Sequence, residues 1–430
     1  MKVTKSLLLG AAASLVVMSG AQAADLPVKA KAVEYVKVCP AYGAGFYYIP
    51  GTDICLRVGG FVRFDVGHNT DGSFPIIGQG APGPGLVDER GREMTTQFHT
   101  RAAILLDARQ QTAYGTLRAY LDGGWQMRGR PIGTGAYTGH GPGAVWEASR
   151  AFIQFAGWTF GRATSFFDFY GSTGPHANIV NWGGTSSTGA IGWNVLAYTA
   201  QFGGGMSGSI SIEELRTKGI ATGGATAGAN VRAGQQLPAL TGNLRWDGSA
   251  GSVQIMGAVQ ELNVTTLTVD RELGWAVGAG FTWNNMAAPG SQFGIQASYC
   301  DGANSYCAGS YTNHSFGTTS GALVDAVVVG TSITSVKAWG VNAGYQHRFS
   351  PTYAFTIHGS YTNVDNPSSV AASDFNFWQA GARALWTPVP GLDFGLDVMY
   401  NSFGSDGVFT AGRTSRDTFW SAMFRVLRPF

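Results

Sequence analysis

Through the C-terminal half of the chain, apolar residues recur at every second position, the period of a strand whose two faces meet different surroundings. In GWAVGAGFTWN, Trp275, Val277, Ala279, Phe281 and Trp283 share one face, and Ala276, Gly278, Gly280 and Thr282 the other. GLDFGLDVMYN sets Leu392, Phe394, Leu396, Val398 and Tyr400 against Asp393, Gly395, Asp397, Met399 and Asn401. In TYAFTIHGSYT, Tyr353, Phe355, Ile357 and Tyr361 alternate with Ala354, Thr356, His358 and Ser360. In FWQAGARALW, Trp378 and Trp386 bracket three alanines opposite Gln379 and Arg383.

Extended along the chain, the pattern predicts sixteen strands, at 54–67, 94–109, 113–122, 146–155, 158–165, 192–202, 206–216, 240–247, 251–262, 273–284, 291–300, 335–349, 352–364, 375–387, 391–402 and 416–430. Short connections (110–112, 203–205, 248–250, 350–351, 388–390) alternate with long ones (68–93, 123–145, 166–191, 217–239, 301–334, 403–415). An even number of strands with short turns on one side and long loops on the other describes an all-β, antiparallel transmembrane barrel. One of this size leaves a water-filled lumen.

The aromatics orient the sheet. Trp275/Trp283, Trp378/Trp386 and Tyr353/Tyr361 each stand eight residues apart on an apolar face. Eight residues at about 3.3 Å, tilted roughly 40°, cover about 20 Å along the membrane normal, near the height of a lipid band between two aromatic girdles. The opposite face is small and polar. A soluble sandwich would pack its inner face and charge its outer one. Here the apolar face looks outward, to lipid.

Charge and composition agree. Charged residues are 13% of the chain, aromatics 12%, and glycines number 63. Residues 1–23 carry Lys2 and Lys5, an apolar run from Leu7 to Met18 and a small-x-small ending at Ala21–Ala23. They read as a cleaved signal peptide, the run being too short to span a bilayer. Without Lys2 and Lys5 the chain has 26 basic and 26 acidic residues, so nothing points to a nucleic-acid partner.

The four cysteines, Cys39, Cys55, Cys300 and Cys307, suit disulfides in an exported chain better than metal ligands. Proximity favours Cys39–Cys55 and Cys300–Cys307 among three connectivities. The first would pin residues 24–53, a periplasmic or entrance-side segment, to the start of the barrel at 54–430. No histidines cluster at metal-ligand spacing, and no cofactor motif is found. GGGMSG fits G-x-G-x-x-G but lacks the helix and acidic partner of a dinucleotide site, so it reads as a turn. His314-Ser315 has no third group to orient a nucleophile, so no catalytic residues are assigned.

The stretch CPAYGAGFYYIPGTDICLRVGGFVRFD, the run FAGWTFGRATSFFDFYG and the terminal Phe430 together resemble the alphaproteobacterial porin family, over essentially the whole mature chain. The resemblance implies a homotrimeric diffusion channel of the Gram-negative outer membrane. It would meet outer-membrane lipid and lipopolysaccharide and pass ions and small hydrophilic solutes. It also implies a third external loop folded into the barrel, here about 166–191. The C-terminal aromatic resembles the signal by which the barrel assembly machinery recognises such strands. Arg428 departs from that pattern, and snorkelling to the headgroups would accommodate it.

Strand alternation predicts which charges face the lumen. Arg63, Arg101, Arg118 and Arg150 fall near mid-strand on four consecutive strands, an expected basic wall, with Arg162 at the loop root as a further member. Against it stands the simpler reading that each arginine neutralises a local carboxylate, Asp65, Asp107 or Asp122, and leaves no net field. The inward loop offers only Asp168 near its start, which weighs against cation selectivity and leaves a modest anion preference open. A substrate-specific channel would show a slide of lumenal aromatics, and few face inward in these strands. An outer-membrane hydrolase would need a nucleophile and base, and an adhesin would bind through its long loops.

Overall fold

The computed structural model describes residues 37–68, 96–128, 145–170, 185–186, 192–222, 231–265, 268–308, 324–368, 374–405 and 418–430. The expected signal peptide, residues 1–23, and residues 171–184 and 187–191 of the expected inward loop lie outside them. The strands run β1 (Tyr47–Tyr48), β2 (Cys55–His68), β3 (Thr96–Thr112), β4 (Gly115–Arg128), β5 (Val145–Phe155), β6 (Trp158–Ala163) and β7 (Trp193–Gly203). They continue as β8 (Met206–Glu213), β9 (Ile220–Thr222), β10 (Ala239–Gly248), β11 (Gly251–Leu262), β12 (Glu272–Asn284) and β13 (Gln292–Asp301). The last are β14 (Ala326–Val329), β15 (Ser332–Ser335), β16 (Lys337–Arg348), β17 (Tyr353–Asp365), β18 (Phe375–Val389), β19 (Leu392–Ser405) and β20 (Thr418–Pro429).

β2–β8, β10–β13 and β16–β20 pair in that order, all antiparallel, and β20 pairs back to β2. These are the sixteen expected strands, closed into a barrel. Closure is what lets a sheet cross lipid, because no backbone edge is left bare. The seam runs from Phe61↔Pro429 to His68↔Ala422. Phe430 extends it by two hydrogen bonds, its N–H donating to Gly60 O (3.0 Å) and its O accepting from Gly60 N–H (3.1 Å). The terminal residue is therefore tied down. Arg428 bridges the neighbouring turn instead of reaching outward, donating to the carbonyls of Gly391 and Pro429 (2.9 Å each).

Exposure follows the alternation. Trp275, Trp283, Tyr353, Trp378 and Trp386 are exposed on the outer face, and Tyr361 is half-buried there against Trp339. At the long-loop end the rings form neighbouring contacts, Trp378–Tyr400 at 5.3 Å and Tyr400–Trp420 at 5.1 Å.

Two parts of the structure were not expected from the alternation. β4 continues to Arg128, six residues past its predicted end, because GGWQMR carries its strand through two glycines. Segments within 217–239 and 301–334, read as loops, contribute a second sheet in which β9 pairs parallel with β14, and β14 antiparallel with β15. It packs Ile220 and Ala326 on Leu262, Val264 and Val269 at the long-loop end. Cys300–Cys307 lies beside it, and Cys39–Cys55 fastens the N-terminal segment to β2, as proximity favoured. That segment adds β1 along β2 and sets Phe46 5.3 Å from Arg57 and 5.0 Å from Arg109.

The second sheet encloses a titratable group. The Lys218 ammonium has no hydrogen-bond partner among the described residues, although its stem is partly exposed. Burial pulls its pKa from 10.5 down to about 7, Asp325 opposing and Arg216 adding to the shift. Between those two values the unfolded chain binds more protons, so the sheet should gain stability as pH rises from 7 to 10.5. Lys218→Met, which never carries the charge, should flatten that rise while keeping Asp325 unchanged. Hydrogen-exchange protection of β9 and β14, compared between the two proteins across this range, checks it. Parallel curves would refute it.

Candidate functional site: the lumenal wall

Side chains on alternate positions of β2–β5 and β20 point into the lumen and build a wall of guanidiniums around three aspartates. Asp65 is fully buried beneath Arg425 (2.6 Å), Arg63 (3.1 Å) and His99 (3.5 Å). Asp107 holds Arg109 (2.7 Å) and Arg118 (2.9 Å), with Arg57 at 3.9 Å. Asp122 is the register partner of Arg150 and lies in the field of Arg101. Among the described side chains, seven arginines (Arg57, Arg63, Arg101, Arg109, Arg118, Arg150, Arg425) therefore surround three carboxylates. Both expectations meet here: carboxylates do pair with the wall, and they are outnumbered.

Local irregularity shapes this wall. Asp122 pairs with Arg150 and Gly123 with Ala148, so Ser149 is an extra residue in β5. Such a bulge redirects a side chain, and the buried Ser149 hydroxyl here accepts a hydrogen bond from Arg101.

Beyond β6 the chain turns inside the barrel. The Glu213 carboxylate of β8 accepts from the Ser165 hydroxyl (2.6 Å), Phe166 N–H (2.8 Å) and the Thr241 hydroxyl (2.8 Å). Asn243 donates to Phe166 O (2.6 Å), and the Tyr170 hydroxyl donates to Phe281 O (3.2 Å). Gly280 faces inward so closely under Phe169 that a Cβ there would lie 2.2 Å from the ring. The far end returns to the same wall, where Gln296 donates to Ser186 O (3.4 Å) and Asn342 to Thr185. The described parts of 166–191 thus rest on β8, β10–β13 and β16, across the lumen from the arginines.

The porin subfamily profile matches residues 25–422 of this chain. The chain belongs to the porin subfamily. Porin Omp2b of Brucella suis biovar 1 is 28% identical over 428 residues, covering 99% of each chain. Among solved structures, the outer membrane channel DcaP of Acinetobacter baumannii matches 89% of this chain and 99% of its own, with a TM-score of 0.64 at 17% identity. OprB of Pseudomonas putida matches 87% and 94%, with a TM-score of 0.50 at 12% identity. This porin forms an outer-membrane channel through which ions and small hydrophilic solutes diffuse passively.

Within this porin the predicted site residues separate. Arg63, Arg101 and Arg150 face the lumen. Arg118 does too, but not at mid-strand: the true β4 runs from Gly115 to Arg128, and Arg118 pairs with Arg109 near the short-turn end. The wall therefore has two tiers, Arg63/Arg101 and Arg109/Arg118, about 25 Å apart along β3. Arg162 does not join it. In register it follows Phe160 on the outward face, while Thr159 and Ala163 take the buried inward positions. Asp168 is buried and committed to Arg216 (3.3 Å) and the Ser186 hydroxyl, not displayed to solutes. Arg57, Arg109 and Arg425 join the wall although they were not among its predicted members, and Arg216 was missed. Alternation marks Arg57, Arg109 and Arg425 as inward, whereas the partnership of Arg216 with Asp168 crosses 48 residues and leaves no local signal. Aromatics also face inward more than expected: Tyr120 and Phe152 stack at 4.9 Å, and Phe61 lies 5.8 Å from Arg101.

Proposed function

We propose that this porin favours anions, the selectivity arising from the arginines of β2–β5 and β20. The carrying observation is the excess of guanidiniums over carboxylates among the described side chains of that wall, opposite an inward loop whose Asp168 is already paired. In a water-filled lumen a unit charge roughly 10 Å from a passing ion is worth about 0.4 kcal/mol, close to a twofold change in local anion concentration. Losing one charge from each tier should therefore change the anion-to-cation permeability ratio by about fourfold at low salt, and by less as salt screens the wall.

Reversal potentials of planar-bilayer channels under a salt gradient test this. Arg101→Ala combined with Arg118→Ala should move the potential toward that of a non-selective pore. Arg57→Gln, at a partly exposed position, should give a smaller shift in the same direction. A wild-type potential of cation-selective sign, or variants indistinguishable from wild type, would overturn the reading.

Membership of the subfamily supports a homotrimer, with segments 166–191 narrowing each barrel and residues 24–53 lying at its periplasmic entrance. On this reading the outer girdle meets lipopolysaccharide, and the strand ending at Phe430 is the one engaged by the assembly machinery. Heat-modifiable trimers on gels are the expected signature.

A further inference from the structure

Between the lower tier of arginines and the root of the inward loop lies a cavity of about 530 Å³, within the size range of small-molecule sites. Its lining is neither that of a bare aqueous pore nor that of a packed core. On one side Tyr120 and Phe152, register partners on β4 and β5, stack with planes 17° apart. The Arg118 guanidinium stands 4.8 Å from the first ring centroid and 5.3 Å from the second. On another side Phe169 of the loop root is accompanied by Arg245 at 5.1 Å. Arg150 completes the basic part of the lining.

The two cations differ in what they have left to offer. Arg245 is committed to Asp247 through two nitrogens (2.7 and 2.8 Å), with its third donating to Phe169 O and Gln254. Arg118 uses three of its five N–H donors, two on Asp107 and one on Gln154 Oε1. Its partner Asp107 is shared with Arg109 and approached by Arg57, so the cluster stays positive. Ring faces beside a net-positive guanidinium cluster fit a planar ring that carries a negative charge at one edge.

We propose that this cavity is a binding subsite for aromatic carboxylates, the ring lying against Tyr120 and Phe152 and the carboxylate reaching the free edge of Arg118. The proposal rests on the reading of the lumen as an anion path and adds to it a solute class that the pore retains rather than merely admits. The described part of the loop root is integral to the subsite, since Phe169 supplies one wall and is itself held in place by Gly280 and Arg245.

Benzoate, cyclohexanecarboxylate and benzamide separate the contributions, being aromatic and charged, charged only, and aromatic only. Each is added to single wild-type channels carrying chloride, and the concentration giving half-block is read. Aromatic pairing is worth about 0.5–1.5 kcal/mol, so benzoate should block at roughly two- to thirteenfold lower concentration than cyclohexanecarboxylate. It should also block at lower concentration than benzamide. Tyr120→Leu with Phe152→Leu should bring the benzoate and cyclohexanecarboxylate values together, a ratio measured within one channel and so insensitive to its overall conductance. Equal block by the two carboxylates in wild type overturns the subsite, and equal block by benzoate and benzamide overturns its anionic character. The reversal potential is read on the same channels. A non-selective potential with the benzoate ratio intact would fail the anion path and keep the ring site, and an anion-selective potential without the ratio would fail the subsite alone.

Discussion

A Gly60→Val variant is expected to form no closed barrel. Gly60 sits on the outward face of β2 where the chain's first and last barrel strands meet. A Cβ built there would stand 2.2 Å from Ala103 O on β3 and 2.8 Å from the ring of Phe430. The first contact is with backbone and cannot be relieved by a rotamer change. β2 would have to move away from β3 or from the terminal residue. Overpacking alone costs about 1–3 kcal/mol. The shift would also strain the two Gly60–Phe430 hydrogen bonds, and unpaired backbone groups facing lipid cost several kcal/mol each. Deleting Phe430 removes those two bonds and the ring without a clash, so it should reduce assembly less severely. Gly257→Ala on β11 is the control, because its Cβ would meet nothing closer than Ala276 O at 3.7 Å. Heat-modifiable mobility of outer-membrane fractions measures all three. Normal folded bands from Gly60→Val would show that the seam tolerates a side chain and that this account of it is wrong.

The barrel was legible because lipid and water impose a strict period on every strand. Trp275 to Trp283 could be assigned a face from spacing alone, and their exposure in the fold follows from it. The same period located Arg63, Arg101, Arg118 and Arg150 on the lumenal side. It failed where a strand ends or breaks step. Arg162 lies at the end of β6, where the inward position passes to Ala163, so its place at the loop root did not put it on the lumenal face. The bulge at Ser149 shifts β5 by one residue, and no turn residue announces it. Tyr120 and Phe152 are inward by parity, but their stacking depends on the register of β4 with β5, which no local pattern shows. β9, β14 and β15 were invisible for a different reason. Three- and four-residue strands carry too few alternations to be distinguished from loop, and β9 reaches β14 by a parallel pairing across more than 100 residues. Contacts of this kind, like Asp168 with Arg216, depend on tertiary placement and not on local pattern.

Releasing the inward loop should produce the second large effect, a wider channel. The contacts that hold its root include the Glu213 carboxylate, the recess above Gly280, and Arg216 on Asp168. The carboxylate accepts three hydrogen bonds, and bonds to a charged group contribute about 1.5–3 kcal/mol each. Glu213→Ala would leave Phe166 N–H and two hydroxyls to water and remove the only carboxylate joining the root to β8 and β10 among the described residues. Gly280→Val acts without touching polarity. Its side chain would occupy the space of the Phe169 ring and push residues 166–170 off the wall of β12. Both variants should raise single-channel conductance and admit larger neutral solutes in liposome-swelling assays. The seam at Gly60 is untouched in either, so the barrel should still resist unfolding in detergent. Because the two substitutions share no chemistry, agreement between them would tie the effect to the position of the loop and not to lost charge. Unchanged conductance in both would mean that segments 166–170 and 185–186 do not limit the pore. The narrowest passage would then lie between the arginine tiers themselves, where Arg101→Ala should widen it instead.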